Sequence, residues 1–432
     1  MSKQLLLGQT LEFTGNPFHV DWTDCVRHHT YGAVLIEGSK ISAVGDATQL
    51  KTDHPDACIT DHGQKLILPG FVDAHVHYPQ TAIIASWGKR LIDWLDTYTF
   101  PEEMRLSDPA YATKIAGTYF DLAVAHGTTS MLSFCTSDPT SVDAFFEAAQ
   151  DRNMAVAGGK TCMDRHAPDG LTDTAQRAYD ESKDLIERWH QKGRNTYAIT
   201  PRFSPTSTPD QLSALGALWA EKPSCLMQTH ISEQSEEIDW VQGLFPKARD
   251  YLDTYQEHGL LGERGVYGHA IHLKPREVSA LSEIGASVAH CPTSNSFIGS
   301  GLCDVTGLSS KGINVGLATD TGGGSNFSML RTMAAAYEIA QLKGGVLHPA
   351  QLLWLATQGA AKAMHMQDKI GNLAHGNYAD IVILNLSSTY AIAQRVTNAN
   401  SFWETVFPTI MMGDDRAISD VYIAGKRVAK PV

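Results

Sequence analysis

The chain has 432 residues, 43% hydrophobic and 19% charged, enough to bury a large core and to form one large domain with a smaller one. Its 34 basic and 47 acidic residues leave a net charge of −13, which argues against a nucleic-acid polymer or an anionic membrane as partner but not against a single free base. MSKQLLLGQT lacks the apolar core of a signal peptide, no apolar run approaches the roughly 20 residues that span a bilayer, and seven scattered cysteines with no C-x-x-C indicate reduced, cytoplasmic usage.

In chain order, short β-like pieces come first, AVLIEGSKISAVG at 33–45 and QKLILPG at 64–70. From residue 71 the pattern alternates. Strands are predicted at 71–77, 128–136, 153–162, 196–204, 224–230, 265–271, 286–292 and 314–320. Between them lie segments with helical spacing, among them 108–127, 140–152, 208–222, 274–285 and 325–345, several with a capping residue at the start or a glycine at the end. Eight strand–helix units in a row predict an α/β fold, a closed (β/α)8 TIM barrel. A doubly wound open sheet is disfavoured because no G-x-G-x-x-G follows the first strand. The tail contains ADIVILNL at 379–386 and DVYIAGKRV at 420–428, read with the N-terminal pieces as one small β-domain built from both chain ends. The division is residues 1–66 and 372–432 for that domain and 67–371 for the barrel.

Functional groups of such barrels sit at the carboxyl ends of strands. His75 and His77 end the first strand one residue apart, on the same face of a β-strand, so both imidazoles can reach one small cation. Arg202 and Phe203 end the fourth strand, His230 the fifth with Glu233 just beyond, His269 lies on the sixth, and Asp320 ends the eighth before a glycine-rich turn. Taken singly, each has a plainer reading: a histidine satisfied in the core, Asp320 as a helix cap, Arg202 in a salt bridge. His126, His166, His258 and His272 keep that reading. Asp164 and Arg165 either line the mouth or pair with each other, and His290 and Cys291 are assigned to packing. Ionisable groups recurring at the ends of strands 1, 5, 6 and 8 are hard to explain by packing. Nitrogen and carboxylate donors without thiolate suit zinc or another divalent first-row ion, whose bound water ionises near neutral pH. Glu233 is placed to move a proton rather than to bind metal.

PGFVDAHVHYPQ at 69–80, THISE at 229–233, GHAIHL at 268–273, CPTSN at 291–295, ATDTGGGSN at 318–326 and the closing GNLAHGNYADIVILN resemble the amidohydrolase superfamily. LIDWLDTYTFPEE at 91–103, KTCMDRHAP at 160–168, ITPRFSPTS at 199–207 and MMGDDR at 411–416 are similar to the guanine deaminase family within it. The resemblance implies a barrel with a composite β-sandwich, and hydrolysis of a cyclic amidine C–N bond, guanine to xanthine and ammonia, with one zinc ion per subunit. It implies His75, His77, His230 and Asp320 as metal ligands and Glu233, Asp320 and His269 as the catalytic groups. His77, Gln80, Arg202, Phe203, His230, Glu233, His269 and Asp320 would surround the substrate, with Arg202 donating to O6 and Phe203 stacking on the purine. It also implies a cytoplasmic homodimer. Relatives acting on 8-oxoguanine, cytosine or triazines share the metal motif, and the segments at 91–103, 160–168 and Arg202–Phe203 favour guanine. A non-catalytic scaffold relative would tend to lose ligand positions that are all filled here. Trp87, Trp94 and Tyr98 make 86–103 a candidate apolar lid.

Overall fold

The computed structural model describes residues 3–87 and 90–429. Four strands precede the barrel: β1 (Lys3–Phe13), β2 (Val26–Glu37), β3 (Lys40–Asp46) and β4 (Cys58–Pro69). The barrel strands are β5 (Phe71–His77), β6 (Thr128–Phe134), β7 (Ala155–Gly159), the short β8 (Thr161–Cys162), β9 (Asn195–Pro201), β10 (Leu226–Ile231), β11 (Gly265–His269), β12 (Ser287–His290) and β13 (Asn314–Leu317). Three strands close the chain: β14 (Ile381–Leu384), β15 (Ile418–Ile423) and β16 (Lys426–Val428).

The terminal strands form one sheet in the order β16-β15-β14-β4-β1-β2-β3. Its register breaks within β1, at Gly8, where a Cβ would lie 2.9 Å from the Lys65 carbonyl oxygen. Beyond that break the sheet doubles back on itself. Ile36 and Ile41 of β2 and β3 share one core with Ile381, Ile383 and Tyr422 from the other end of the strand order. Ile41 N donates to Asn377 O and Ala379 N to Ser39 O, each at 2.9 Å. The two chain ends thus make the composite sandwich anticipated from the sequence. The central strand β1 is one the sequence reading did not mark. Leu6 packs into that core while Leu5 and Leu7 pack on the opposite face, against the helix Ala47–Asp53. A strand covered on both faces shows no alternation.

The parallel sheet runs β5-β6-β7-β9-β10-β11-β12-β13, eight positions as predicted, with β8 pairing beside β9. Small and aliphatic residues fill the barrel interior, Val72, Ala74, Ala157, Ala198, Val266, Ala289 and Ala318 among them. Larger outward residues such as Tyr197, Ile199 and Tyr267 pack under the helices. Helix starts follow their caps: Asp108 accepts from Ala110 N and Tyr111 N, and Thr208 from Gln211 N.

Several strands end sooner than predicted. The fourth stops at Pro201, the sixth at His269, the eighth at Leu317, and the third is broken at Lys160. Lys160 is fully buried against Asp173 and Glu181. At or past the ends of the fifth, sixth and eighth strands the backbone leaves the ladder through left-handed residues, at Ser232 (φ 48°), His269 (68°), Ala270 (49°) and Asp320 (49°). Such non-glycine residues cost about 1–3 kcal/mol each and cluster where a site over-determines them.

The sandwich is tied to the base of the barrel by Arg194, whose guanidinium pairs with Asp380 while Asp380 Oδ1 also accepts from Ala424 N at 2.8 Å. Both side chains are almost fully buried. Arg194→Ala leaves the Asp380 charge without its counter-ion and is expected to destabilise the fold by about 3–5 kcal/mol. Denaturant unfolding measures this, and a loss under about 1 kcal/mol would remove the pair from its tying role.

Candidate active site

The seam between the first and last barrel strands carries the site. Asp320 N donates to His75 O at 2.9 Å and His77 N to Thr321 O at 3.2 Å. Just below, the Asp73 carboxyl accepts from Thr319 N at 3.0 Å and from Thr319 Oγ1 at 2.6 Å. Burial pushes the Asp73 carboxyl up to about 7, against the pull of those bonds. The seam sets Asp320 Oδ1 at 3.5 Å from His75 Nε2 and 3.6 Å from His77 Nε2. From across the barrel, His230 brings its Nε2 to 3.0 Å from that of His77.

Burial lowers all three imidazoles, well below the usual value for His77 and His230, so they are neutral. His230 Nδ1 faces the Arg202 carbonyl oxygen at 2.6 Å and donates to it, which leaves a bare lone pair on its Nε2 aimed at His77. His75 Nε2 is buried and has no hydrogen-bond partner among the described residues. Ring nitrogens of His75, His77 and His230 lie within 4.8 Å of one another. Converging lone pairs beside a carboxylate are costly without a cation between them and fit a divalent first-row ion. Burial alone would raise the Asp320 carboxyl, but the facing His75, His269 and His77 rings hold it well below the usual carboxylate range.

A second cluster adjoins these donors. Glu233 Oε1 accepts from Ser300 Oγ at 2.8 Å and its Oε2 lies 3.5 Å from His269 Nε2. Burial pushes the Glu233 carboxyl up to about 7, with His269 pulling the other way and Glu237 and Asp320 adding to the rise. His269 Nδ1 donates to Asn295 Oδ1 at 2.8 Å, and its Nε2 is 3.9 Å from Asp320 Oδ2. Burial disfavours the imidazolium, yet the Glu233 and Asp320 charges and the Asn295 bond carry His269 above its ordinary value. A carboxyl raised to about 7, side by side with an imidazole raised above its ordinary value, suits proton transfer at neutral pH.

One cavity joins both clusters to Gln80, Arg202 and Phe203. Leu91, Trp94 and Leu95 roof it, from a helical stretch within the candidate lid segment 86–103. Trp94 is buried there, whereas Trp87 is 84% exposed and Tyr98 Oη donates to its carbonyl, so only one of the three aromatics faces the cavity. Glu103 lies behind the cavity wall, accepting from Gln80 Nε2 at 2.8 Å and from Arg202 Nη1 at 2.7 Å.

Other expectations fare differently. His126, His166, His258 and His272 bond ordinary partners, Leu122 O, Pro205 O, Ser213 Oγ and Ser300 O. Asp164 and Arg165 do not pair with each other. Asp164 accepts from Thr208 N and Oγ1, and Arg165 donates to Ser204 O and Pro205 O, so both brace the turn after β9. Cys291, assigned to packing, has its sulfur within 4.8 Å of ligand atoms of His75, His269 and Asp320. Burial pushes this thiol well up, and it donates to Ala289 O at 3.5 Å, so it lines the site as a thiol. Glu103, Asn295 and Ser300 were not singled out from spacing. Asp73 carried a signal, a charge inside the apolar run FVDAHVH.

The sequence profile of the amidohydrolase family matches residues 66–428. The chain belongs to the amidohydrolase family. A shorter match, residues 32–57, is to the imidazolonepropionase-like composite domain of bacteria. This amidohydrolase is 42% identical over 398 residues to the guanine deaminase of Escherichia coli (strain K12), covering 92% of this chain and 91% of that one. The solved structure of E. coli guanine deaminase matches with a TM-score of 0.96 at 40% identity, over 99% of both chains. Guanine deaminase from C. acetobutylicum, solved with guanine bound in its active site, matches with a TM-score of 0.90 at 26% identity, over 99% of this chain and 100% of that one. No helix of the described residues is long and apolar enough to cross a membrane.

Gly322, next to the cavity-lining Gly323, has φ 119°, and a Cβ there would stand 2.0 Å from Gln80 Oε1 and 2.6 Å from Gln80 Cβ. Gly322→Ala is therefore expected to cost about 1–3 kcal/mol and to push the Gln80 side chain aside, read by denaturant unfolding and a crystal structure of the variant. An unchanged midpoint with Gln80 in place would contradict the close packing.

Proposed function

We propose that this amidohydrolase is a guanine deaminase, hydrolysing guanine to xanthine and ammonia. One observation carries the reading: the imidazole–carboxylate cluster and the Gln80, Arg202, Phe203 set line the same cavity, in a chain so similar to guanine deaminases. His75, His77, His230 and Asp320 would hold one zinc ion, which when bound supplies a water that ionises near neutral pH. The guanidinium of Arg202, which has donors only, receives O6, and Phe203 stacks on the base. That pose presents C2 to the attacking oxygen. Glu233 takes the proton of the water at its carboxylate and delivers it to N3, which removes the aromatic resistance to addition at C2. His269, steadied by Asn295, donates to the oxygen added at C2, and Asp320 through its free oxygen helps to hold the transferring proton. The proton of the hydroxyl added at C2 passes to the amino nitrogen, the C2–N bond breaks as C2=O forms, and ammonia leaves with xanthine as the other product. The roof of Leu91, Trp94 and Leu95 keeps bulk water from the buried carboxylates.

The seven free cysteines agree with action in the cytoplasm, and the family likeness with a homodimer.

Purified protein loaded with zinc is expected to contain one ion per chain and to consume guanine in an ultraviolet assay. Glu233→Gln is expected to keep the ion and lose about 10²–10⁴-fold or more in kcat. His230→Ala is expected to lose the ion by elemental analysis, because it removes a ligand and leaves the other imidazoles with one fewer shared cation contact. Full activity of Glu233→Gln, or of a metal-free preparation, overturns the assigned roles. A preference for cytosine or 8-oxoguanine overturns the substrate.

A further inference from the structure

Three polar side chains at the closed end of the cavity are almost entirely buried: Gln80 and Glu103 at 1% exposure and Arg202 at 4%. They form one unit. Glu103 Oε1 accepts from Gln80 Nε2 and Glu103 Oε2 from Arg202 Nη1. A carboxylate has acceptors only and a guanidinium donors only. The arrangement therefore removes the usual ambiguity of a glutamine amide. Its NH2 group must face Glu103, and its carbonyl oxygen must face away.

That oxygen is where a ligand would read it. Gln80 Oε1 is buried and has no hydrogen-bond partner among the described residues, although Gln80 lines the cavity. Gly322 leaves room for that oxygen, since a Cβ there would lie 2.0 Å from Oε1. A buried acceptor without a partner costs free energy that a ligand donor can recover. Arg202 shares Nη1 with Glu103 and keeps its remaining N–H groups for the cavity it lines.

We propose that Glu103 is a positioning residue that sets the hydrogen-bond polarity of the binding floor, fixing Gln80 as an acceptor beside the donor-only Arg202, so that the site selects a base with a lactam edge over one with an amidine edge. A lactam edge, N–H beside C=O, meets that floor with each group paired. An amidine edge, ring nitrogen beside NH2, meets it with acceptor against acceptor and donor against donor. Glu103 lies in the helix Phe100–Met104, in the same segment as the roof residues Leu91, Trp94 and Leu95. The polarity is therefore set by the segment that also covers the base.

The inference rests on the guanine reading and refines it, and a matched pair of substrates separates the two. Guanine has the lactam edge. Diaminopurine keeps the amino group at C2 and carries the amidine edge instead. The native enzyme is expected to favour guanine over diaminopurine by about 10²-fold or more in kcat/KM. In Glu103→Gln the new amide offers only one acceptor, which the Arg202 charge takes. Gln80 must then turn its NH2 toward the cavity. The guanine preference is expected to fall by about 10-fold or more, chiefly through a raised KM for guanine, with the metal content unchanged.

Glu103→Asp keeps both acceptors on a shorter arm and is expected to restore most of the preference. A general loss of packing would lower both substrates alike, so equal losses in Glu103→Gln with the preference intact overturn the proposal. Should Glu103→Gln not fold, the Asp variant decides alone: a raised KM for guanine with kcat within about twofold supports the proposal, and a fall in kcat alone overturns it. Native enzyme that ignores guanine but processes diaminopurine overturns the polarity assignment. Native enzyme inactive on both, with metal bound, overturns the substrate reading itself.

Discussion

Seven of the joins around the barrel are parallel strand ladders, whereas the join between β5 and β13 is made at its carboxyl end by a few bonds around His75, His77, Thr319 and Asp320. The backbone of His75, His77 and Asp320 is itself part of the closing hydrogen-bond pattern. Asp320 cannot leave the imidazoles without opening the seam, and the seam cannot slip by one residue without turning His75 and His77 to the outer face. Asp73 reinforces this from below, its buried carboxyl held by Thr319. Pre-organisation of the donors follows from barrel closure, with no separate device needed.

The electrostatics follow from the same closure. Because the carboxyl end of the barrel is capped by the helical stretch after β5, the ionisable groups there are cut off from water, and burial is the largest single influence on each of them. The responses diverge according to neighbours. Imidazoles facing one another are driven neutral, Asp320 among them stays ionised, and Glu233, beside His269 but also near Glu237 and Asp320, rises toward neutrality. One environment thus yields an ionised carboxylate, Asp320, and a carboxyl poised near neutrality, Glu233, which follow strands β13 and β10 and both meet His269. The left-handed backbone at Ser232, His269, Ala270 and Asp320 is the conformational cost of aiming these side chains inward.

Much of this was legible in the sequence because it is repetitive or local. Alternating strand and helix patterns marked every barrel strand, and motifs at strand ends marked His75, His77, His230, Glu233, His269 and Asp320, which the fold brings to one place. The strand β1 escaped notice because both its faces are covered. The early strand ends escaped because residues such as Phe203, Ile271 and Thr319 extend the strand pattern, while the turns depend on bonds between distant segments, such as Asp320 N to His75 O at the eighth. Cys291 looked like packing, since nothing local shows that its sulfur faces His75, His269 and Asp320.

The sequence by itself determined the kind of donors: imidazoles and carboxylates at i and i+2 and at later strand ends, the set that suits a hydrolytic metal site, which the strand–helix periodicity puts at one end of a parallel barrel. Which way the groups between them point was decided only by tertiary structure. A glutamine amide has no preferred face until a carboxylate 23 residues away, Glu103, accepts from one end of it. A buried carboxyl has no particular acidity until its neighbours are known, as Glu233 and Asp320 show. Hydrogen-bond polarity and charge state are properties of pairs, and the partners here are far apart in the chain.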